Sequence, residues 1–266
     1  MSRPSTVITT RRSVGASETG CVRDNNQDAI HADDDGGLWL VADGMGGHAG
    51  GARASQIACE TIARKHGEGA GLRSSVLKAH QAIRQEQEQR PEVGDMGTTI
   101  VVLAEYEQNY EICWVGDSRA YRFCPREGVL ELLTRDHNVA GMLVAAGALS
   151  PEEASRHPQR HVLTDCLGLT GEQEPRIGSL QERWKQGEWL LLCSDGLSGE
   201  LSDREMEAVL KRSASLEAAN TTLIERTMEA GAHDNVSIVL VACPDGVEDT
   251  EPSGMRWPWP FRRRSL

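Results

Sequence analysis

Four short motifs centred on aspartate carry side chains of the kind that bind hard metal ions. In each, the aspartate lies at or near the end of an apolar run, beside glycine or a small polar residue, a pattern that predicts a carboxylate at a sheet edge. The motifs span nearly the whole chain: Val41–Gly47 with Asp43, Trp114–Arg119 with Asp117, Cys193–Gly196 with Asp195, and His233–Asn235 with Asp234.

These carboxylates indicate one shared metal site. Mg²⁺ and Mn²⁺ prefer oxygen ligands, and no His or Cys cluster with zinc spacing accompanies the aspartates. The chemistry predicted is metal-assisted phosphoryl transfer or hydrolysis. For any one Asp-Gly or Asp-Asn alone, a turn residue or helix cap is the competing interpretation.

The elements that must position these residues are strands and amphipathic helices. Apolar runs predict strands at Gly37–Ala42, Thr98–Ala104, Tyr110–Val115, Arg119–Phe123, Val129–Leu133, Glu188–Cys193 and Val236–Ala242. Helices are predicted at Ala52–Lys65, Leu72–Gln89, Asp203–Arg212 and Leu216–Ala230. Without steady alternation of strand and helix, antiparallel sheets covered by helices are favoured over a doubly wound sheet.

One domain, the flap within it and a segment at each end complete the predicted organisation. Residues 1–13 form an N-terminal extension, residues 14–244 one domain, and residues 139–168 a short helix with a flap. After residue 244 the composition changes to a flexible tail, 245–266, in which Trp257, Trp259 and Phe261 alternate with proline before three arginines. Aromatic and basic residues of this kind suit a partner or an anionic membrane surface.

Charge and cysteine content exclude several classes of protein. A formal net charge of −12 disfavours a nucleic-acid surface, which needs Lys and Arg to neutralise phosphates. The 7 cysteines are odd in number and scattered, so a reduced, cytoplasmic protein is expected. No apolar run approaches the roughly 20 residues of a membrane helix, which predicts a soluble chain.

The motifs occur in an order that resembles a known family. Gly20–Ala29, Gly97–Thr99 and Thr134–Asn138, together with the four aspartate motifs, are similar to the bacterial branch of the metal-dependent PPM (PP2C-type) serine/threonine protein phosphatases. The resemblance runs from about Val14 to Ala242. It implies an α+β fold, a four-layer αββα sandwich of two antiparallel sheets flanked by helices, with the metals at one end.

The resemblance implies roles for individual residues. Asp43 matches the aspartate that bridges two Mn²⁺ or Mg²⁺ ions, and Gly44 the residue whose carbonyl binds the second ion. Asp195 and Asp234 match the other ligands of the first ion. Asp117, with Asp195, matches the site of a third, weaker ion in bacterial members. Two such ions about 3.5–4 Å apart can activate a shared water for attack on phosphorus.

Residues around these ligands receive supporting roles. Arg23 matches the arginine that binds the substrate phosphate, and its planar fork can hold two phosphate oxygens. Asp28 is expected to order water molecules bound to the metals. Gln27 stands where some eukaryotic relatives carry an acid, so it is not expected to be a ligand.

The general acid is the point where the chain departs from the eukaryotic pattern. Met45 occupies the place of the histidine that follows Asp-Gly there. His48 is the nearest substitute, with a structural loop histidine or water at the metal site as alternatives.

Other side chains near the motifs receive structural interpretations. His137, His157 and His161 are interpreted as structural or substrate-contacting residues. Ser118 and Ser194 are expected to brace the metal loops, because no Gly-x-Ser-x-Gly motif or Ser-His-Asp set is apparent.

The predicted function is a monomeric, metal-dependent phosphatase that acts on phosphoserine and phosphothreonine in proteins and opposes a Ser/Thr kinase. Two alternatives stay open: a catalytically weak phosphatase-like module that binds partners, and a phosphomonoesterase for small molecules. A dinucleotide fingerprint, Gly44-x-Gly46-x-x-Ala49, is disfavoured because the following helix leads into a second helix rather than a parallel strand.

Overall fold

The computed structural model describes residues 6–9, 12–46, 50–169 and 174–247. His48 and the part of the tail from residue 248 onward lie outside the described residues. Within the described ranges, no helix combines the length and the apolar character needed to cross a membrane.

Twelve strands and seven α-helices make up the described chain. The strands are β1 (Thr6–Thr9), β2 (Ser13–Glu18), β3 (Asp28–Asp33), β4 (Leu38–Gly46), β5 (Met96–Thr98), β6 (Ile100–Tyr106), β7 (Asn109–Val115), β8 (Arg119–Cys124), β9 (Val129–Leu132), β10 (Gly178–Arg183), β11 (Trp189–Cys193) and β12 (Val236–Ala242). The helices are α1 (Gly50–Gly67), α2 (Leu72–Gln89), α3 (Val139–Ala145), α4 (Pro151–Ala154), α5 (Asp195–Ser198), α6 (Asp203–Arg212) and α7 (Leu216–Ala230).

The strands form two antiparallel sheets. The first has the order β1-β2-β12-β11-β8-β9, and the second has the order β10-β7-β6-β4-β3, with β5 paired to the end of β4. Strands β4, β7 and β11 each contain or precede a motif aspartate, and all three lie inside the sheets rather than at their margins.

Alternating side chains build three apolar layers. In β4, Leu38, Leu40 and Ala42 face α1 and α2, whereas Trp39 and Val41 pack between the two sheets. Strand β11 follows the same rule, with Leu191 and Cys193 against α6 and α7 and its other leucines between the sheets. This period-2 pattern gives the layers helix, sheet, sheet, helix. The predicted four-layer αββα sandwich is confirmed.

The helices on the first sheet begin at defined caps. Ser202 accepts a hydrogen bond from the Glu205 amide, while the Glu205 carboxylate accepts one from the Ser202 amide, a capping box that starts α6. Ser215 caps α7 through the Ala218 amide. Both helices thus begin at the predicted residues and cover the sheet.

The structure differs from the sequence prediction in the bounds or number of several elements. Strands β1 and β2, which the apolar runs did not predict, pair with each other, and β2 begins at Ser13. Strand β4 continues through Gly46, so Asp43 lies within a strand and not at its end. The 139–168 flap holds two short helices, α3 and α4, instead of one.

Candidate metal and phosphate site

The four motif aspartates come together at one end of the sandwich. Asp43 lies in β4, Asp117 follows β7 by two residues, Asp195 follows β11 as the first residue of α5, and Asp234 precedes β12 by two residues. Asp28, the first residue of β3, is the direct cross-strand partner of Asp43. Five chain segments from the two sheets thus contribute one carboxylate each.

Asp43 lies among the other four carboxylates, and its pKa responds to each of them. Desolvation raises the pKa of Asp43 well above its usual range, and the charges of Asp28, Asp195, Asp117 and Asp234 raise it further. Each of these causes disfavours the ionised form, and a bound cation would relieve all of them.

The pKa values of two neighbouring carboxyl groups, Asp117 and Asp28, are also raised. Burial, followed by the charge of Asp195, raises the pKa of Asp117 to about 7. Burial, opposed in part by serine hydrogen bonds, raises the pKa of Asp28 to about 7 as well. Because these folded-state values exceed the ordinary ones, both groups favour the folded state at low pH and lose that contribution as pH rises through 7.

Thr99, directly after β5, holds Asp43 by its backbone. The Thr99 amide donates to the Asp43 carbonyl at 2.9 Å, and the Asp43 amide donates to Thr99 Oγ1 at 3.2 Å. Thr99 Oγ1 also lies 2.6 Å from Ser118 Oγ. This contact joins the Asp43 and Asp117 segments, so the predicted bracing role of Ser118 is confirmed.

A chain of serine hydroxyls supports Asp28. Ser194 Oγ donates to Asp28 Oδ2 at 2.9 Å and accepts the Ser237 amide at 2.9 Å. Ser237 Oγ in turn lies 2.8 Å from Ser17 Oγ. Ser194 therefore braces the site, as predicted, and links the two sheets behind the carboxylates.

Gly44 lies where no side chain fits. A Cβ on Gly44 would stand 2.2 Å from the Gly51 carbonyl oxygen and 2.5 Å from that of Gln27. The main chain can therefore approach closely and present its own oxygen. Asp28 Oδ1 is buried and has no hydrogen-bond partner among the described residues. An unpartnered oxygen, a glycine cradle and an all-oxygen donor set fit hard divalent cations.

The carboxylates are gathered but do not form a closed ligand set. Among the described residues, no three acidic, His or Cys side chains surround one point closely enough to hold an ion. Instead, Arg23 Nη2 donates to Asp234 Oδ2 at 2.8 Å, and His161 Nδ1 lies 3.7 Å from Asp195 Oδ2.

Asn235 fixes the loop that carries Arg23. Its side-chain amide donates to the carbonyls of Thr19 and Asn25 at 2.9 and 3.0 Å, and its Oδ1 accepts the Gln27 amide at 2.8 Å. The Asn235 side chain thus ties both ends of the loop to the residue beside Asp234. The sequence motif contains Asn235, but its spacing alone indicates no role for this side chain.

The histidines differ in whether they contact backbone groups or a carboxylate of the cluster. The His137 amide donates to the Gly116 carbonyl at 2.9 Å, and His137 Nδ1 accepts from the Gly116 amide at 3.3 Å. Both contacts of His137 are thus with backbone, which is a structural role. His157 Nδ1 accepts a hydrogen bond from the Gln159 amide at 3.2 Å. His161 faces the site, and the carboxylate of Asp195 raises its pKa. Met45 lies in β4, and the general-acid role of His48 remains a prediction outside the described residues.

An oxygen-rich, divalent-cation type of centre at the end of an αββα sandwich defines a class of metal-dependent hydrolases. The family model for "Protein phosphatase 2C" matches residues 22–232. The chain belongs to the protein phosphatase 2C family.

Relatives and solved structures agree with this family. The chain is 35% identical over 241 residues to the serine/threonine protein phosphatase PstP of Mycobacterium tuberculosis, a match that covers 88% of this chain but only 45% of PstP. It is 30% identical over 237 residues to the serine/threonine phosphatase stp of Listeria monocytogenes, covering 84% of this chain and 92% of that protein. The PstP catalytic domain in complex with two manganese ions superposes with a TM-score of 0.75 at 32% identity, covering 88% of this chain and 98% of that structure.

Proposed function

We propose that this chain is a Mn²⁺- or Mg²⁺-dependent phosphatase that hydrolyses phosphoserine and phosphothreonine in proteins. The observation that carries the proposal is the gathering of five carboxylates, with Arg23 bound to one of them, at one end of the sandwich. The names of the relatives, which describe serine/threonine protein phosphatases, support a protein substrate.

The residues proposed to hold two ions are Asp43, Asp195 and Asp234 with the carbonyl of Gly44, and Asp117 is proposed to hold a third with Asp195. When bound, such ions lower the pKa of water and supply the attacking group, so no side-chain nucleophile is needed. Asp28 is proposed to orient that water through its buried carboxylate.

Arg23 is proposed to bind the phosphate. Its side chain is 55% exposed, so its guanidinium is accessible to a substrate, and its planar donors can hold two phosphate oxygens. His161, half-exposed beside Asp195, stands on the flap side of the same cluster. Arg23 and His161 therefore contact different carboxylates of the cluster, Asp234 and Asp195.

The biological setting is part of the proposal. The proposed partners are phosphorylated proteins, including a Ser/Thr kinase, and nucleic acid is not proposed as a partner. The enzyme is proposed to be monomeric and cytoplasmic. All seven cysteines are described and are free thiols, which supports a reducing compartment. The arginine-rich tail is proposed to bind a partner or an anionic membrane, and vesicle binding with and without residues 255–266 tests this.

Phosphate release from a phosphothreonine peptide tests the proposed function. We expect turnover with Mn²⁺, none with EDTA, and none from a folded Asp43→Asn variant, because Asp43 lies at the centre of the carboxylate cluster. Asp35→Asn, at an exposed turn, serves as the matched control. Activity in EDTA would contradict the proposal, and hydrolysis of small phosphate esters alone would favour the phosphomonoesterase. Mn²⁺ binding without any hydrolysis would favour the binding module.

A further inference from the structure

Strand β5 lies between the metal-binding segment and the C-terminal end of the flap. On one side, Thr98, Gly97 and Met96 pair with Gly44, Met45 and Gly46. On the other side, Thr98 pairs with Leu167, through the Thr98 amide to the Leu167 carbonyl at 3.1 Å and the Leu167 amide to the Thr98 carbonyl at 2.8 Å. Three residues thus connect the two segments.

The connection reaches Asp43 itself. Thr98 Oγ1 donates to the Asp43 carbonyl at 2.9 Å, the same oxygen that accepts the Thr99 amide. Two consecutive residues, Thr98 and Thr99, thus hold the backbone carbonyl of a proposed metal ligand.

Two polar side chains of α2 hold this arrangement from the outside. His80 Nδ1 accepts the Gly168 amide at 3.1 Å, and Gln87 Nε2 donates to the Gly168 carbonyl at 3.0 Å. Gln87 Nε2 also donates to the Met96 carbonyl, so one amide group spans β5 and the flap end. We refer to His80 and Gln87 as the α2 clamp.

The clamped segment has little room to move. Gly168 adopts φ +86°, and a Cβ there would stand 2.6 Å from both Ile83 Cγ2 and the Met96 carbonyl oxygen. His80 is only 8% exposed, and burial and the charge of Arg84 lower its pKa. The neutral ring keeps Nδ1 available as an acceptor for Gly168.

We propose that the α2 clamp is a pair of positioning residues that fix β5 against the Asp43–Gly44 segment and so couple the flap to metal binding. This inference rests on the metal site proposed above. It predicts that substitutions in α2 weaken Mn²⁺ binding although they remove no metal ligand. It also predicts that a partner or substrate that displaces the flap end changes metal affinity.

Calorimetric titration with Mn²⁺ and amide hydrogen exchange in EDTA test the inference without any measurement of turnover. For Gln87→Ala and His80→Leu we expect the Kd for Mn²⁺ to rise roughly fivefold to tenfold. Exchange at Thr98, Thr99 and Leu167 should accelerate more than exchange in α7. Gln85→Ala, an exposed glutamine on the same helix, and His80→Asn, which keeps an acceptor, should bind Mn²⁺ as the unchanged chain does.

Each remaining outcome has a defined meaning. Clamp variants that lose unfolding free energy but bind Mn²⁺ with an unchanged Kd would overturn the inference, because the clamp would then be only structural. If Gln87→Ala does not fold, the pair His80→Leu and His80→Asn decides by the same criterion. An unchanged chain that binds no Mn²⁺ would overturn the proposed function and this inference with it.

Discussion

Arg23 and Asp234 form an ion pair at the margin of the carboxylate cluster, with Nη2 and Oδ2 2.8 Å apart. The pair has two physical consequences. It holds the guanidinium beside the place where a phosphate would approach, and it neutralises one carboxylate of a cluster that otherwise repels itself. The proposed role of Arg23 requires this guanidinium to exchange the Asp234 carboxylate for a phosphate.

Substitution of Arg23 should act mainly on substrate binding. We expect Arg23→Ala to lower kcat/KM for a phosphothreonine peptide about ten- to hundredfold, since charge-assisted hydrogen bonds contribute about 1.5–3 kcal/mol. Arg23→Lys should fall between, because it keeps the charge but loses the planar fork. Arg212→Ala, at the exposed end of α6, is the control, and an unchanged KM for both Arg23 variants would contradict the assignment.

Glu188 makes the free energy of unfolding depend on pH, and it lies at the end of the sandwich opposite the carboxylate cluster. The residue is 1% exposed, its Oε1 accepts the Lys185 amide at 2.9 Å, and its Oε2 has no partner among the described residues. Burial raises the pKa of Glu188 to about 7. The protonated form therefore favours folding at low pH, and this contribution is lost as pH rises towards 7.

Glu188→Gln should stabilise the chain at high pH. At pH 8 we expect a gain in unfolding free energy of up to about 3 kcal/mol, which shrinks towards pH 5 because the wild-type carboxyl is then protonated. Denaturant unfolding in EDTA at both pH values measures the difference. Glu127→Gln, exposed near the same end, controls for the loss of a surface charge, and a gain independent of pH would contradict the explanation.

At the scale of elements, the approach of α1 to β4 shapes the metal-binding segment. A Cβ on Gly51 would stand 2.8 Å from both the carbonyl carbon and the carbonyl oxygen of Gly44. The glycine thus allows the start of a helix to pack against the strand whose carbonyl is a proposed ligand. At Gly67, the other end of α1, an added Cβ would meet no atom within 4 Å among the described residues.

Opposite effects are expected from the same change at the two ends of α1. Gly51→Ala should lower the unfolding free energy by about 1–3 kcal/mol, because overpacking must shift backbone, and it should weaken Mn²⁺ binding. Gly67→Ala should be neutral or slightly stabilising, as alanine favours a helix over glycine by up to about 1 kcal/mol. Unfolding curves and Mn²⁺ titration measure the effects of both substitutions. Equal effects of Gly51→Ala and Gly67→Ala would contradict the close packing of Gly51 against Gly44.

The elements differ in how well sequence alone predicts them. The seven predicted strands and four predicted helices are all present, because their apolar residues repeat with the period of a buried strand or an amphipathic helix. Strand β3 could not be recognised: in Asp28–Asp33 every residue is partly exposed and half are charged or His, since it is an edge strand. Strands β5 and β10 are too short or too polar for the same signal.

At the scale of the molecule, the carboxylate cluster and the last described residues lie at opposite ends of the sandwich. The carboxylates collect in the C-terminal half of β4, after β7 and β11, and before β12, whereas Glu188 and the last described residues lie where β11 begins and β12 ends. Val247 packs between the sheets at that far end, so the chain beyond it starts away from the metal site.

Motif order could predict the gathering of distant aspartates, but contacts made by single side chains could not be read in this way. His161 beside Asp195, and His80 and Gln87 on the flap end, stand alone in segments whose pattern indicates only a loop or an amphipathic helix. His161 contacts Asp195, and His80 and Gln87 contact the backbone of Gly168, all more than thirty positions away in the sequence. Only the packed fold brings these partners together.

Diffraction at the manganese absorption edge from crystals grown with Mn²⁺ tests the central claim most directly. We expect two anomalous peaks about 4 Å apart, with Asp43 between them and oxygens of Gly44, Asp195 and Asp234 as ligands. Manganese bound elsewhere, with the Asp43 carboxylate contacting no ion in a chain that still shows Mn²⁺-dependent turnover, would contradict it.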